Sequence, residues 1–284
     1  MTLPRGLQFS QSNLQDFVDC QRRFQLRHIL HQAWPAVDAE PYLENERMTD
    51  QGAKFHRIVR QQLVGVPEIK ISQSISDDDV MKSWWSNYLN ELKSGILSLI
   101  SEPGNQHFEE ITLSVPMAEF QLIAKYDLLL IQPDGRLIII DWKTSQNHPR
   151  RSWLADRLQT HVYPYVLTSA VSSLIGGNSP DPNKIEMIYW YTNQPEQVER
   201  FPYNLTEYRN DGKYLEELTT ILNQKEELIY PLTSNFKRCL FCNYRSLCNR
   251  GSTPGDLHHL DEWLGTESTD EINLELDQIG EIEF

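Results

Sequence analysis

Apolar and polar positions along this chain mark most of its elements. Leu128 to Ile131 and Leu137 to Ile140 are unbroken apolar runs, the pattern of strands buried on both faces. Pro133-Asp134-Gly135 between them is a turn. Strands are expected over about residues 107–115, 119–132, 136–143 and 184–191. Phe55, Ile58, Val59 and Leu63 recur at helical spacing, and residues 78–99 suit a helix whose Trp84, Trp85, Tyr88 and Leu89 serve packing. Ser10 or Ser12 caps a helix reaching about residue 31, and the stretch from Pro35 to Glu46 reads as a connector. A helix over about 150–174 contains Pro164, which should kink it or end its first part. Residues 205–227 are mostly helical. The order helix–strand–strand–strand–helix–strand predicts an α/β fold in which three strands meander and the fourth returns through a crossover helix.

Chemistry enters where the two apolar strands end. A hairpin centred on Asp134 puts Asp127 opposite Asp141, with Cβ atoms roughly 5 Å apart. Lys143, two residues on, leaves the same face as Asp141. Two carboxylates beside an apolar sheet are costly to bury unpaired, and a divalent cation is the natural compensation.

The segments Ala124-Lys-Tyr-Asp127 and Asp141-Trp142-Lys143-Thr144 resemble the core of the PD-(D/E)XK nuclease superfamily, and Asp-Trp-Lys-Thr resembles its RecB-like branch. That branch carries a Gly-x-x-x-His helix upstream and a Gln-x-x-x-Tyr helix downstream. Here these correspond to Gly52-Ala-Lys-Phe-His56 and Gln159-Thr-His-Val-Tyr163. Tyr126 stands before Asp127 where the pattern has proline. The resemblance implies a restriction-endonuclease-like αβββαβ core with a mixed central sheet, added helices and a C-terminal cysteine segment. It further implies Mg²⁺ or Mn²⁺ held by His56, Asp127, Asp141 and the main-chain carbonyl of Trp142. Lys143 would activate or position the attacking water, and Gln159 and Tyr163 would place the substrate strand.

The four cysteines are Cys20, Cys239, Cys242 and Cys248. Four thiolates ligate one tetrahedral Zn²⁺ or one [4Fe–4S] cluster. The C-x₂-C-x₅-C spacing with a remote N-terminal cysteine resembles the iron–sulfur staple of AddB-like nucleases and CRISPR-associated RecB-like exonucleases. Phe9-Ser-Gln-Ser-Asn-Leu14 leading to Cys20 resembles that family's first helix, with Gln21 where the family has proline. The resemblance favours the cluster; zinc stays open. Either would close a loop over most of the chain and link metal binding to folding.

Charge changes the picture. The net charge of the 284 residues is −14, although a protein that binds nucleic acid needs a basic track. Residues 256–284 hold ten acids and no Lys or Arg, which leaves residues 1–255 with 26 basic and 30 acidic residues. A nuclease domain over 1–250 and an acidic tail over 251–284 follow, the tail either solvated or docking on a partner or on the enzyme's own cleft. Arg150, Arg151 and Arg157, close to the acidic hairpin in sequence, are candidates for phosphate contacts. Without an apolar run long enough to span a bilayer or a signal-peptide pattern, a soluble cytoplasmic protein is expected.

The sequence therefore predicts a Mg²⁺- or Mn²⁺-dependent deoxyribonuclease, an exonuclease on single-stranded or end-bearing DNA in repair, recombination or CRISPR adaptation. It would work with a helicase or adaptation-complex partner and no membrane. The alternatives are a non-catalytic iron–sulfur DNA-binding or scaffold subunit, and a cofactor-bearing redox protein. Intact acids, lysine and His56 argue against the scaffold. The redox reading leaves the hairpin unexplained.

Overall fold

Gly135 adopts φ 81°, a left-handed conformation that costs a residue with a Cβ about 1–2 kcal/mol. Its amide donates to the Gln132 carbonyl at 2.9 Å, and the Arg136 amide donates to Asp134 Oδ1 at 3.0 Å. This turn sets the hairpin that the acidic residues require. The computed structural model describes residues 3, 7–33, 42–145, 148–177, 179–240 and 242–252. Among them, strands β2 (Gln106–Met117), β3 (Phe120–Ile131) and β4 (Leu137–Lys143) form the expected antiparallel meander. Leu128 pairs with Ile140 and Ile131 with Leu137, the register that a turn centred on Asp134 dictates.

The chain then crosses over through helices and returns as β5 (Ile185–Tyr191), parallel to β4. Two short strands were not expected. β1 (Gln8–Phe9) runs parallel to β3, and β6 (Glu199–Pro202) is antiparallel to β5. A mixed six-stranded sheet results, with β2 paired to β3 off the path β1–β3–β4–β5–β6.

Each face of the sheet has its own core. On one face, α3 (Tyr42–Leu63) and α5 (Asp79–Ser94) bring Phe55, Ile58, Trp84, Trp85 and Tyr88 against Leu128, Ile140, Trp142 and Trp190. The aromatics over 78–99 are thus packing residues. On the other face, α1 (Gln11–Asp19), α7 (Leu158–Ala170) and α9 (Leu205–Asn223) cover Leu122, Ala124, Leu129, Ile139 and Tyr189. Residues 128–130 and all of β4 are buried, as runs covered from both sides must be.

Local departures have physical causes. The connector assigned up to Glu46 becomes helical from Tyr42, and the remaining helices are α2 (Gln21–Phe24), α4 (Glu68–Ser74), α6 (Arg151–Asp156) and α8 (Ser172–Ile175). The helix expected over 150–174 breaks at Arg157, which is extended at φ −74°, ψ 137°. Pro164 lies inside the continuous α7; the Thr168 hydroxyl donates to its carbonyl at 2.7 Å. The acidic tail falls on residues 253–284, outside the described residues. No described helix is long and apolar enough to cross a membrane.

Gly135→Ala should lower stability by about 1 kcal/mol without altering the fold. A Cβ there meets Lys184 Nζ at 3.4 Å, so the effect is one of backbone strain and not of collision. Urea unfolding checks it; an unchanged midpoint would show that the turn does not hold the hairpin.

Candidate active site

The hairpin ladder ends at Leu128–Ile140, one step short of the acids. Beyond it the Trp142 amide donates to Asp127 Oδ2 at 2.9 Å, so a carboxylate continues the strand pairing in place of a backbone carbonyl. The other oxygen, Oδ1, lies 3.1 Å from His56 Nδ1. His56 reaches it from α3, on one face of the sheet. The glycine one turn earlier permits the approach: a Cβ on Gly52 would sit 2.8 Å from Thr144 Oγ1, at the end of β4. The Gly-x-x-x-His spacing is therefore a packing requirement as well as a chemical one.

Asp141 and Lys143 are both buried and share a side of β4, with Nζ to Oδ2 at 3.0 Å. From the other face of the sheet α7 brings Gln159, which grips both. Its Nε2 donates to Asp141 Oδ1 at 2.6 Å, and Lys143 Nζ donates to its Oε1 at 2.9 Å. Tyr163, one turn along α7, is hydrogen-bonded to Gln159 and packs on the Tyr126 ring at 5.1 Å. The Tyr126 hydroxyl donates to the Tyr163 carbonyl at 2.9 Å. Five sequence-predicted side chains thereby form two bonded groups at one end of the sheet, His56 with Asp127 and Gln159 with Asp141 and Lys143, with Tyr163 against the second. Trp142 turns its ring into the α3–α5 core beside Trp190 and Tyr88.

Electrostatics follow from this packing. Burial pushes the Asp127 carboxyl up, but the His56 charge and hydrogen bond, the Trp142 amide and Lys143 outweigh it, and the group sits below the ordinary aspartate value of 3.8. Burial pushes the Tyr163 hydroxyl well above the usual tyrosine range, and the Asp141 and Asp127 charges add to that. Tyr163 is accordingly a neutral hydroxyl at any physiological pH.

Sequence reasoning missed one acid. Glu110 of β2 lies opposite Asp127, between the pairs Glu109–Leu128 and Ile111–Tyr126, and takes the left-handed φ of 46°. At this point both strands exchange the face they show to each core: Leu113 and Tyr126 pack on the α7 side, Leu128 on the α3 side. Arg60, one turn after His56 on α3, binds Glu110 Oε2 at 3.1 Å, and Lys125 lies at 3.9 Å. Left-handed backbone at a non-glycine residue is strain that gathers at functional sites. No sequence pattern marks it, because Glu109 and Glu110 are equivalent by composition.

The arginines fall differently. Arg157 is buried, stacked on Trp153 at 4.6 Å and 3.9 Å from Asp19 Oδ2. Arg151 binds Glu199 Oε2 at 2.7 Å and the Arg200 carbonyl at 2.6 Å and covers the Phe201 ring. Arg150 is an exposed residue at the N-cap of α6. Arg23 and Arg27 serve the buried Asp16, at 2.7 and 3.4 Å.

Among the described residues, no three His, Cys, Asp or Glu side chains are gathered as a shell able to hold a metal ion. Both oxygens of Asp141 are turned toward Gln159 and Lys143. The donor set nonetheless suits a small hard cation. Carboxylate oxygens are the ligands such a cation takes, and Asp127 and Asp141 offer them at one end of the sheet, Asp127 now hydrogen-bonded to His56 at 3.1 Å. The four cysteines are unpaired as disulfides and each is half-buried. Burial pushes the Cys239, Cys242 and Cys248 thiols up, Cys242 to about 11, and Cys20 raises all three further by its charge. Arg22, Arg23 and Arg250 oppose the rise at one or more of them.

A model of the PD-(D/E)XK nuclease superfamily matches residues 8–249. The chain belongs to that superfamily, whose members are nucleases that generally use divalent ions such as Mg²⁺. Two solved structures are similar. One, named "Putative exonuclease" and from Eubacterium rectale, has 8% identity over 78% of this chain and 84% of its own, with a TM-score of 0.48. The other, SSO0001, has 14% identity over 85% of each chain, with a TM-score of 0.38. No curated protein matches the sequence.

Because the folded-state pKa of Asp127 is depressed, its ionisation stabilises the protein above pH 3.8, and that contribution is lost as pH falls from there through the folded value. The stability difference between the protein and Asp127→Asn should therefore be level at pH 5 and shrink below pH 4, measured by urea unfolding without added metal. A difference that stays level to pH 2 would contradict the electrostatic account.

Proposed function

We propose that this protein is a RecB-like, Mg²⁺- or Mn²⁺-dependent deoxyribonuclease that hydrolyses single-stranded or end-bearing DNA. The observation that carries the reading is the bonded set Asp127–His56 and Asp141–Gln159–Lys143 at one end of the sheet. His56, Asp127, Asp141 and the Trp142 carbonyl would hold the cation. When bound, the ion supplies charge to the scissile phosphate and lowers the pKa of a coordinated water. Lys143 would orient the attacking water and stabilise charge developing on the phosphate, in a buried setting where one cation acts strongly. Gln159 keeps Lys143 and Asp141 at fixed separation, and Tyr163 offers a neutral hydroxyl to the strand. Exonuclease action, a helicase or adaptation-complex partner and a role in repair, recombination or CRISPR adaptation extend this reading. The intact acid–lysine set favours an enzyme over a scaffold.

Asp141→Ala and Lys143→Ala should each lower Mn²⁺-dependent digestion of end-labelled single strands on the order of a thousandfold, with unchanged circular dichroism. Residual activity near that of the parent protein would remove this site from the mechanism.

The same proposal gives Cys20, Cys239, Cys242 and Cys248 a [4Fe–4S] cluster, with zinc as the second reading. The Asp19–Arg238 contact, which joins the neighbours of Cys20 and Cys239, supports a common ligand, and soft thiolates suit either. Protein purified anaerobically should be brown, with about four irons per chain. Colourless protein with one zinc per chain would replace the cluster and keep the staple.

A further inference from the structure

Gln159 is placed by the first turn of α7, and that turn is held from outside. The amide of Leu158 is one of the four at the start of a helix that the helix itself leaves unsatisfied. Arg157, at the N-cap, contributes no side-chain acceptor. The acceptor is Gln15 of α1, whose Oε1 takes the Leu158 amide at 3.0 Å across 143 residues of chain. Gln15 is buried, and its Nε2 donates to Asp19 Oδ1 at 3.0 Å. Asp19 is gripped in turn by Arg23 at 3.0 Å, by Arg157 at 3.9 Å and by Arg238. Its neighbour in sequence is Cys20, and Arg238 precedes Cys239. The Gln15 amide thus has one end on the clasp that joins the two cysteine segments and the other on the residue adjoining Gln159.

We propose that Gln15 is a positioning residue for the acid–lysine pair: its carbonyl oxygen fixes the first turn of α7 and thereby the reach of Gln159 to Asp141 and Lys143. The inference rests on the nuclease reading above. The geometry leaves little slack, since the Gln159 contacts are 2.6 and 2.9 Å and, among the described residues, no side chain other than Gln15 accepts from the Leu158 amide. A displacement of about 1 Å at such a site lowers rate by up to about a hundredfold. Gln15 touches neither acid, so its loss acts on turnover more than on DNA affinity.

The test uses the full chain with Mn²⁺ and end-labelled single strands. The parent protein must cleave and Asp141→Ala must not; failure there rejects the nuclease reading and not this one. With that control passed, Gln15→Met removes both hydrogen bonds at nearly constant volume. It should lower kcat roughly ten- to a hundredfold with KM within about threefold. In a Gln159→Met background the same change should cost less than about twofold, because the contact through which Gln15 acts is already gone. An unchanged kcat, or an equal loss in both backgrounds, overturns the proposal. If Gln15→Met does not fold, Gln15→Asn withdraws the acceptor by one methylene with a smaller effect on packing and faces the same double-variant criterion.

Discussion

The burial of Lys143 against Asp141 is the constraint on which the rest of the site depends. An ammonium and a carboxylate withdrawn from water each lose several kcal/mol of hydration, and their attraction repays this only when further hydrogen bonds fill the remaining valences. Gln159 supplies them to both partners at once. For that to happen α7 must start where it does, lie flat on the sheet and present its first turn at the end of β4. The crossover from β4 to β5, the extended residue at Arg157 and the outside acceptor from α1 all serve that placement.

The two cores divide the labour. The α3–α5 face brings His56 to Asp127 and anchors Trp142, while the α7 face brings Gln159 and Tyr163. Neither face alone assembles the set. Glu110 and Asp127 stand where both strands exchange faces, so Asp127 can be met by α3 although its neighbour Tyr126 packs under α7.

Much of this was legible in the sequence, and the reason is local. The Pro-Asp-Gly turn and two apolar runs determine the hairpin register, and the register determines where the acids stand. Gly52 and His56, like Gln159 and Tyr163, are one helical turn apart, a spacing with a direct geometric meaning. What escaped was non-local or unpatterned. Two-residue β1 has no periodicity to detect. Glu110 differs from Glu109 only in its backbone angle. Pro164 looked like the break in the crossover helix, but the break falls at Arg157, whose side chain stacks on nearby Trp153 and pairs with distant Asp19. Arg151 and Arg157 read as candidates for phosphate contacts because their pairing with Glu199 and Asp19 joins positions far apart in the chain.

The clasp around Asp19 also sets an order of events during synthesis. Arg238 meets Asp19 across 219 residues, and the Gln25 side chain meets the Leu228 carbonyl and the Tyr230 amide at 2.9 Å. At roughly 5–20 residues per second, the ribosome delivers those partners some 10–40 s after α1 has emerged. Until Arg157 is made, Asp16 and Asp19 have only their local partners Arg23, Arg27 and His28, and α1 must wait beside a sheet that is itself still being made. The nascent chain therefore carries its acids, its lysine and Gln159 before it carries the Arg238 end of the clasp that steadies α1. The proposed site is thus written into the chain well before the residue that completes its support from α1.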